Sequence, residues 1–123
     1  MNIIISNQSM VPIYEQLSGQ IIKQILSGEL KENEALPSVR SLSSELRISA
    51  LTVKKSYDRL EEEGYVVTVH GKGTYVLGAD NSIAMEARKR SVEDDLEKVI
   101  EKAKIVGMTS DELKELLNIL LEE

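Results

Sequence analysis

The feature that most constrains this 123-residue chain is a pair of apolar-striped segments joined by a three-residue connection. Residues 38–46 place apolar side chains at helical spacing, and residues 49–63 do so again over a longer stretch. Residues 47–49 lie between them, and three residues allow only a tight turn. A short helix, a tight turn and a longer helix form the helix-turn-helix arrangement.

Residues that cap helices mark the ends of these segments. Ser38 and Ser49 each precede an apolar stripe, and a serine hydroxyl there can accept a hydrogen bond from an early backbone N–H of the helix. Gly64 suits the end of the longer helix. Upstream, apolar residues at helical spacing predict a first helix over about residues 11–27, with Gly28 as its left-handed cap residue.

The segment after Gly64 predicts a two-stranded hairpin. Residues 65–69 are β-branched or aromatic and indicate a strand. Residues 70–73 contain two glycines and form the turn, and residues 74–77 return as the second strand. A hairpin directly after a helix-turn-helix forms a wing. At the N-terminus, residues 2–7 are apolar and long enough for a small edge strand.

The last third of the chain predicts two helices. Apolar residues from Val92 to Val106 alternate spacings of four and three, which is a heptad seam. Thr109 and Glu112 form a capping box at the start of the last helix. The seam can fold back on the winged part or pair with a second copy; we favour the second copy, because a two-fold dimer presents two recognition helices to DNA. The expected dimerisation residues are Val92, Leu96, Val99, Ile100, Ala103, Val106, Leu113, Leu116, Leu117 and Leu120.

These elements predict a mainly α fold with a small β-hairpin wing. Residues 1–78 are expected to form a winged helix-turn-helix domain that binds DNA, and residues 79–123 a helical dimerisation tail. The charge supports this division. Residues 1–78 carry 8 basic and 9 acidic side chains, whereas residues 79–123 carry 7 basic and 12 acidic ones.

The formal net charge of -6 by itself opposes nucleic-acid binding. Its distribution reverses that inference. Between Arg47 and Leu60, four basic residues stand against one acidic residue, on the helix expected to enter the groove. Arg40 and Lys72 add positive charge on the preceding helix and at the tip of the wing. A local basic surface of this kind attracts the phosphates of DNA.

Several function classes are excluded by what the chain lacks. There is no Cys and only one His, so thiolate and multi-histidine metal sites are excluded, and no catalytic Ser/His/Asp set is apparent. We expect no enzymatic activity, no cofactor and no metal. No apolar run approaches the length of a membrane span, and no signal peptide is evident, so a cytoplasmic protein without membrane contact is expected.

Five stretches in the first two thirds of the chain resemble the GntR family of bacterial transcription regulators, in order and spacing over about residues 10–77. They are Pro12-Ile13-Tyr14-Glu15-Gln16-Leu17, Leu36-Pro37-Ser38-Val39-Arg40-Ser41-Leu42, Ser49 with Thr52-Val53, Tyr57-Asp58-Arg59-Leu60-Glu61-Glu62-Glu63-Gly64-Tyr65, and Gly71-Lys72-Gly73-Thr74-Tyr75-Val76. The tail of only two helices resembles the YtrA subfamily. Larger members of the family carry a ligand-binding domain in its place.

The resemblance implies which residues contact DNA. Arg40 matches a family arginine that contacts phosphate or bases, Lys54 matches a basic position of the recognition helix, and Gly71 matches the wing glycine that approaches the minor groove. The expected DNA-binding residues are Arg40, Ser49, Ala50, Leu51, Thr52, Lys54, Lys55, His70, Gly71 and Lys72.

The chain departs from the family pattern at the turn and at the start of the recognition helix. Many members have Gly where Arg47 stands, and Arg or Pro-Asn where Ala50 and Leu51 stand. Ala50 and Leu51 cannot donate the hydrogen bonds with which arginine reads guanine, although they can pack on a thymine methyl group.

The resemblance implies a transcription regulator, a repressor that binds a palindromic double-stranded DNA operator as a homodimer. The YtrA resemblance further implies regulation of an ABC transporter operon. The alternative from another class is a winged-helix adaptor that binds proteins and not DNA. The residues themselves identify no operator sequence, regulated gene or small-molecule effector.

Overall fold

The computed structural model describes all 123 residues and contains five helices and one antiparallel hairpin. The elements are α1 (Ile13–Leu26), α2 (Val39–Leu46), α3 (Ala50–Glu62), β1 (Val66–Val69), β2 (Gly73–Val76), α4 (Ser82–Ile105) and α5 (Ser110–Leu121). The predicted fold class, mainly α with a small hairpin wing, is confirmed.

The chain divides into two compact units, Met1–Arg88 and Lys89–Glu123. The division therefore falls within α4, so the first turns of that helix pack with the winged part. The functional boundary between residues 78 and 79 stays a prediction, because it concerns what each part binds and not how it packs.

Local hydrogen bonds place the ends of the helix-turn-helix as predicted. The Ser38 hydroxyl accepts from the backbone N–H of Ser41 at 3.1 Å, and the Ser49 hydroxyl accepts from that of Thr52 at 3.1 Å. Arg47 ends α2 in the left-handed conformation, with φ 56°. An L-residue there is strained by about 1 kcal/mol, so the tight turn is maintained by its surroundings.

The core of the first unit is built from aliphatic side chains and one tyrosine. It joins α1, α2, α3, the hairpin and the segment between α1 and α2, and its buried members are Leu17, Ile21, Ile25, Leu30, Leu36, Leu42, Val53, Tyr57, Leu60, Val66 and Val76. Because α3 contributes a stripe to this core, one face of the helix is committed to the interior.

Residues 33–36 form a third strand-like segment that the polar sequence did not predict. Ala35 bridges to Tyr75 in antiparallel register, and the backbone N–H of Leu36 donates to the carbonyl of Thr74 at 2.8 Å. Val76 donates in return to the carbonyl of Glu34 at 2.9 Å. This pairing covers the outer edge of β2, so β2 has a hydrogen-bonded neighbour on each side.

The predicted edge strand over residues 2–7 is wrong, because this segment pairs with no strand. Instead, three glutamines spaced four residues apart on α1 bind its backbone: Gln16, Gln20 and Gln24. The Gln20 amide donates to the carbonyl of Ile4 at 2.7 Å and accepts from its N–H at 2.9 Å. Gln16 makes the same two bonds with Ser6, each at 2.9 Å.

The register of this glutamine ladder follows from simple geometry. Four residues of helix rise about 6 Å, and two residues of extended chain rise about 6.6 Å. Every fourth side chain of α1 therefore meets every second residue of the extended segment. The bonds hold Ile3 and Ile5 against the core, where both are partly buried.

Arg88 joins the start of α4 to the end of α3. Its residue surface is 7% exposed, and its guanidinium donates to the carbonyls of Gly64, Leu77 and Gly78 at 3.1, 2.9 and 3.0 Å. It also lies over the ring of Tyr65, 4.6 Å from the centroid. Buried charge is tolerated here because carbonyl oxygens satisfy the donors.

The second unit contains the rest of α4 and α5. The capping box at Thr109 is confirmed, with its hydroxyl accepting from the N–H of Glu112 at 3.1 Å and the Glu112 carboxylate accepting from the N–H of Thr109 at 3.0 Å. These bonds lower the pKa of Glu112 below its ordinary value of 4.5. Gly107, with φ 84°, lies between the two helices.

We expect Gly64→Ala to destabilise the protein more than Gly28→Ala. Both glycines have a positive φ, 88° and 86°. A Cβ at Gly64 would lie 2.8 Å from the Cβ of Ala87 and 2.9 Å from the carbonyl oxygen of Ala84, whereas Gly28 has nothing within 4 Å. Urea unfolding should show a loss of about 1 kcal/mol for Gly28→Ala and about 3 kcal/mol for Gly64→Ala. Equal losses would contradict the close packing of α4 on Gly64.

We expect Gln20→Met to release the extended N-terminal segment while α1 stays helical. Methionine keeps the length of the side chain but cannot make the two bonds to Ile4. Hydrogen exchange at the Ile4 amide should accelerate by about thirtyfold, since two hydrogen bonds that each contribute about 1 kcal/mol are lost. Gln8→Met, at an exposed position outside α1, is the control and should leave that amide unchanged.

Candidate nucleic-acid interface

All ten residues predicted to contact DNA lie in the Met1–Arg88 unit, and nine of them are exposed. Arg40 is on α2, and the wing tip supplies His70, Gly71 and Lys72. The other six lie around the start of α3: Ser49, Ala50, Leu51, Thr52, Lys54 and Lys55. Thr52 is the half-buried member, because its side chain is turned toward the cap. Their assignment to DNA stays a prediction.

The orientation of α3 follows from its buried stripe. Val53 and Leu60 are fully buried, and the buried Ser56 hydroxyl donates to the carbonyl of Tyr14 in α1 at 3.0 Å. The Tyr57 hydroxyl donates to the carbonyl of Pro37 at 2.8 Å, and burial raises the pKa of this hydroxyl, so it stays a protonated donor. The opposite face of α3 is therefore left to solvent. It carries Ala50, Leu51, Lys54, Lys55 and Asp58.

The turn before α3 is held by Ser43, a residue that sequence analysis did not single out. The Ser43 hydroxyl donates to the carbonyl of Ile48 at 2.7 Å, and the N–H of Ile48 donates to the carbonyl of Ser43 at 3.2 Å. Ile48 itself packs against the core. The first turn of α3 is thus fixed before any ligand binds, which lowers the entropy cost of binding.

Arg40, Lys54 and Lys55 differ in what holds their charged groups. Arg40 is exposed and forms no ion pair. Lys54 pairs with Asp58 at 2.8 Å, with both side chains more than 60% exposed. Such an exposed pair contributes at most about 1 kcal/mol, so a phosphate can replace Asp58. Lys55 lies over the Tyr14 ring at 3.9 Å from its centroid.

Arg59 is not part of this exposed basic set. It pairs with Glu15 of α1 at 3.5 Å and with Glu63 at 3.0 Å. Two carboxylates, one on α1 and one at the end of α3, therefore hold this guanidinium in the fold.

The wing is tied to α3 by a carboxylate that the sequence did not reveal as functional. Glu61 accepts from the backbone N–H of Thr68 at 2.9 Å, across the free edge of β1. The register places Val69 opposite Gly73, so residues 70–72 form the tip. Gly71 has φ 76°, as the tight turn requires. Nothing holds the His70 imidazole or the Lys72 ammonium, and both are exposed.

The predicted dimerisation residues lie in the second unit and are mostly exposed. Val92, Val99 and Leu120 are 69%, 50% and 56% exposed, and Ala103 is the one buried member. Ile100 and Leu113 are half-buried. Most of the seam is therefore uncovered, and an apolar surface remains.

No group of three or more His, Asp or Glu side chains is arranged to hold a metal ion. None of the five helices combines the length and the apolar character needed to cross a bilayer.

Comparison with known proteins agrees with the geometry. A family model described as bacterial regulatory proteins, gntR family, matches residues 13–76. The chain is 34% identical over 111 residues to the HTH-type transcriptional repressor YtrA of Bacillus subtilis, which covers 90% of this chain and 85% of that protein. These relatives are transcription regulators and not enzymes.

Solved structures with the same fold include a second YtrA protein and a protein–DNA complex. YtrA from Sulfolobus acidocaldarius, a GntR-family transcription factor, has a TM-score of 0.60 and 35% identity, covering 98% of this chain and 97% of that one. The DNA-binding domain of AraR, solved in complex with operator ORR3, has a TM-score of 0.53 and 25% identity, covering 63% of this chain and 93% of that one.

Proposed function

Since this chain belongs to the gntR family of bacterial regulatory proteins and is a transcription regulator with a DNA-binding winged helix, we propose that it represses transcription as a homodimer on a palindromic operator. The observation that carries the proposal is the exposed, positively charged face of α3, whose other face is buried in the core. A helix held in this way can enter the major groove with its first turn.

The DNA contacts in this proposal come from three places. Arg40 and Lys54 bind phosphates, because one has no ion pair and the other has an exchangeable one. The first turn of α3 faces base edges, and His70, Gly71 and Lys72 at the wing tip reach the flanking backbone or minor groove. The complex of the AraR domain with its operator supports this arrangement, since the two folds correspond.

The homodimer is supported by the apolar surface of the second unit. A contiguous row of exposed leucines and valines rarely remains open to water on a monomer. A second copy of the same surface covers it in an isologous interface, and two-fold symmetry matches a palindromic site. In this proposal residues 1–78 bind DNA and residues 79–123 hold the dimer together.

The regulated genes follow from the YtrA resemblance alone. We propose an operon that encodes an ABC transporter, in the same genome as the regulator. Crosslinking followed by sequencing of bound fragments tests this: the strongest sites should lie before such genes, and sites confined to unrelated operons would contradict it.

We expect Arg40→Ala to weaken operator binding by about 1–3 kcal/mol while the fold is retained. The operator is first obtained by selecting bound duplexes from a random-sequence library, and affinity is then measured by fluorescence anisotropy across a salt titration. Affinity should fall steeply with salt, and less steeply for the variant, because one phosphate contact is lost.

Arg90→Ala is the matched control, since Arg90 is an exposed arginine outside the winged unit. It should bind as the unmodified protein does. An Arg40→Ala variant with unchanged affinity and salt slope would contradict this docking, and absence of any binding at low salt would contradict the DNA function itself.

We expect Val99→Glu combined with Leu117→Glu to separate the dimer. Both side chains are exposed members of the apolar surface, 50% and 44% exposed, so a carboxylate there is tolerated by the monomer and excluded from an apolar interface. Light scattering after size exclusion should show the mass falling from twice 13.7 kDa to 13.7 kDa. Lys98→Glu adds negative charge beside Val99 without altering an apolar side chain and should stay dimeric. A double variant that remains a dimer would place the interface elsewhere.

A further inference from the structure

We infer that Leu51 reads a thymine in the operator by contact with the C5-methyl group of that base in the major groove. The inference rests on the proposed binding of DNA by α3, and it names the base feature that the first turn of this helix recognises.

The first observation is the exposure of Leu51 itself. It is the second residue of α3 and is 80% exposed, with the exposed Ala50 beside it. Single exposed leucines are common on protein surfaces, so exposure alone identifies no ligand. The chemistry of the surrounding side chains decides what this leucine can meet.

The second observation is that the polar groups of the same turn are already engaged. The Ser49 hydroxyl accepts from the N–H of Thr52 at 3.1 Å and lies 2.7 Å from the Thr52 hydroxyl. Both hydroxyls therefore have a partner within the cap. Ala50 and Leu51 have no side-chain donor or acceptor, so the most exposed side chain of this turn, Leu51, is apolar.

The third observation is the charge around this apolar tip. Lys54 and Lys55 follow on the same exposed face, and the exposed Arg47 precedes it in the turn. A basic helix with an apolar tip fits a polyanion that carries a methyl group in its groove. Among the four bases only thymine presents a methyl group at the major-groove edge, so the occupant is a thymine of duplex DNA.

The fourth observation is that the tip is held rigidly. Ser43 binds Ile48 through both its hydroxyl and its carbonyl, and Ser49 caps α3 immediately after. Leu51 thus approaches DNA on a fixed helix end and not on a mobile loop. A contact as small as one methyl group discriminates between bases only when its position is fixed in this way.

The test removes the methyl group from the DNA and the leucine from the protein. In the operator obtained by selection, each thymine is replaced in turn by deoxyuridine, which lacks only the C5-methyl group. Replacing the contacted thymine should weaken binding by about fourfold for each half-site altered, the factor that burial of one methyl group is worth. Leu51→Ala should lose a similar factor on the unmodified operator and lose nothing further on the deoxyuridine operator.

Leu26→Ala is the matched control, because Leu26 is an exposed leucine at the end of α1. It should keep both the affinity and the sensitivity to deoxyuridine. Circular dichroism is expected to be the same for all three proteins, since neither leucine belongs to the core.

The outcomes separate this inference from the function on which it rests. If Leu51→Ala binds as the unmodified protein does, or remains sensitive to every deoxyuridine, the inference is overturned, DNA binding stands, and a protein contact becomes the role for this leucine. If the unmodified protein binds no selected DNA at low salt, the proposed function fails and the inference fails with it.

Discussion

The hydroxyl of Tyr57 reaches from α3 to the carbonyl of Pro37, directly before the cap of α2, and the geometry of the candidate interface depends on this contact and the apolar stripe around it. Val53 and Leu60 are fully buried on the same side, and Ser56 donates to the carbonyl of Tyr14. With this face of α3 bound to α1 and α2, its other face has to meet solvent. The first turn of the helix is presented outward as a consequence.

Electrostatics in this molecule act locally, and the net charge of -6 describes neither unit. Screening by salt limits the reach of exposed charges to about 10 Å, so the summed charge of the chain does not determine the potential at any one surface. Within the winged unit, carboxylates sort the basic residues into classes. Glu15 and Glu63 hold Arg59 as part of the structure, whereas Asp58 holds Lys54 only weakly and Arg40 is unpaired.

Long polar side chains form hydrogen bonds with backbone groups that have no partner in a neighbouring strand or helix. The glutamines of α1 bind the extended N-terminal segment, Glu61 binds the free edge of β1, and Arg88 binds the carbonyls at the ends of α3 and the wing. Unpaired backbone groups are costly away from water, so each of these side chains has a structural role that its polarity conceals in the sequence. Because polar side chains are usually exposed, the sequence alone predicts these residues to lie at the surface.

The sequence by itself determined the five helices and the hairpin, together with the family. Helical periodicity, Ser38 and Ser49 as caps, the Thr109 capping box and the glycine-rich wing turn all act between residues a few positions apart, so they could be read without the fold. The tertiary structure decided which polar side chains leave the surface. Gln20 meets Ile4 across 16 positions, Arg88 meets Gly64 across 24, and Ala35 pairs with Tyr75. Such partners become neighbours only once the apolar core has brought their elements together, and no local pattern records that distance.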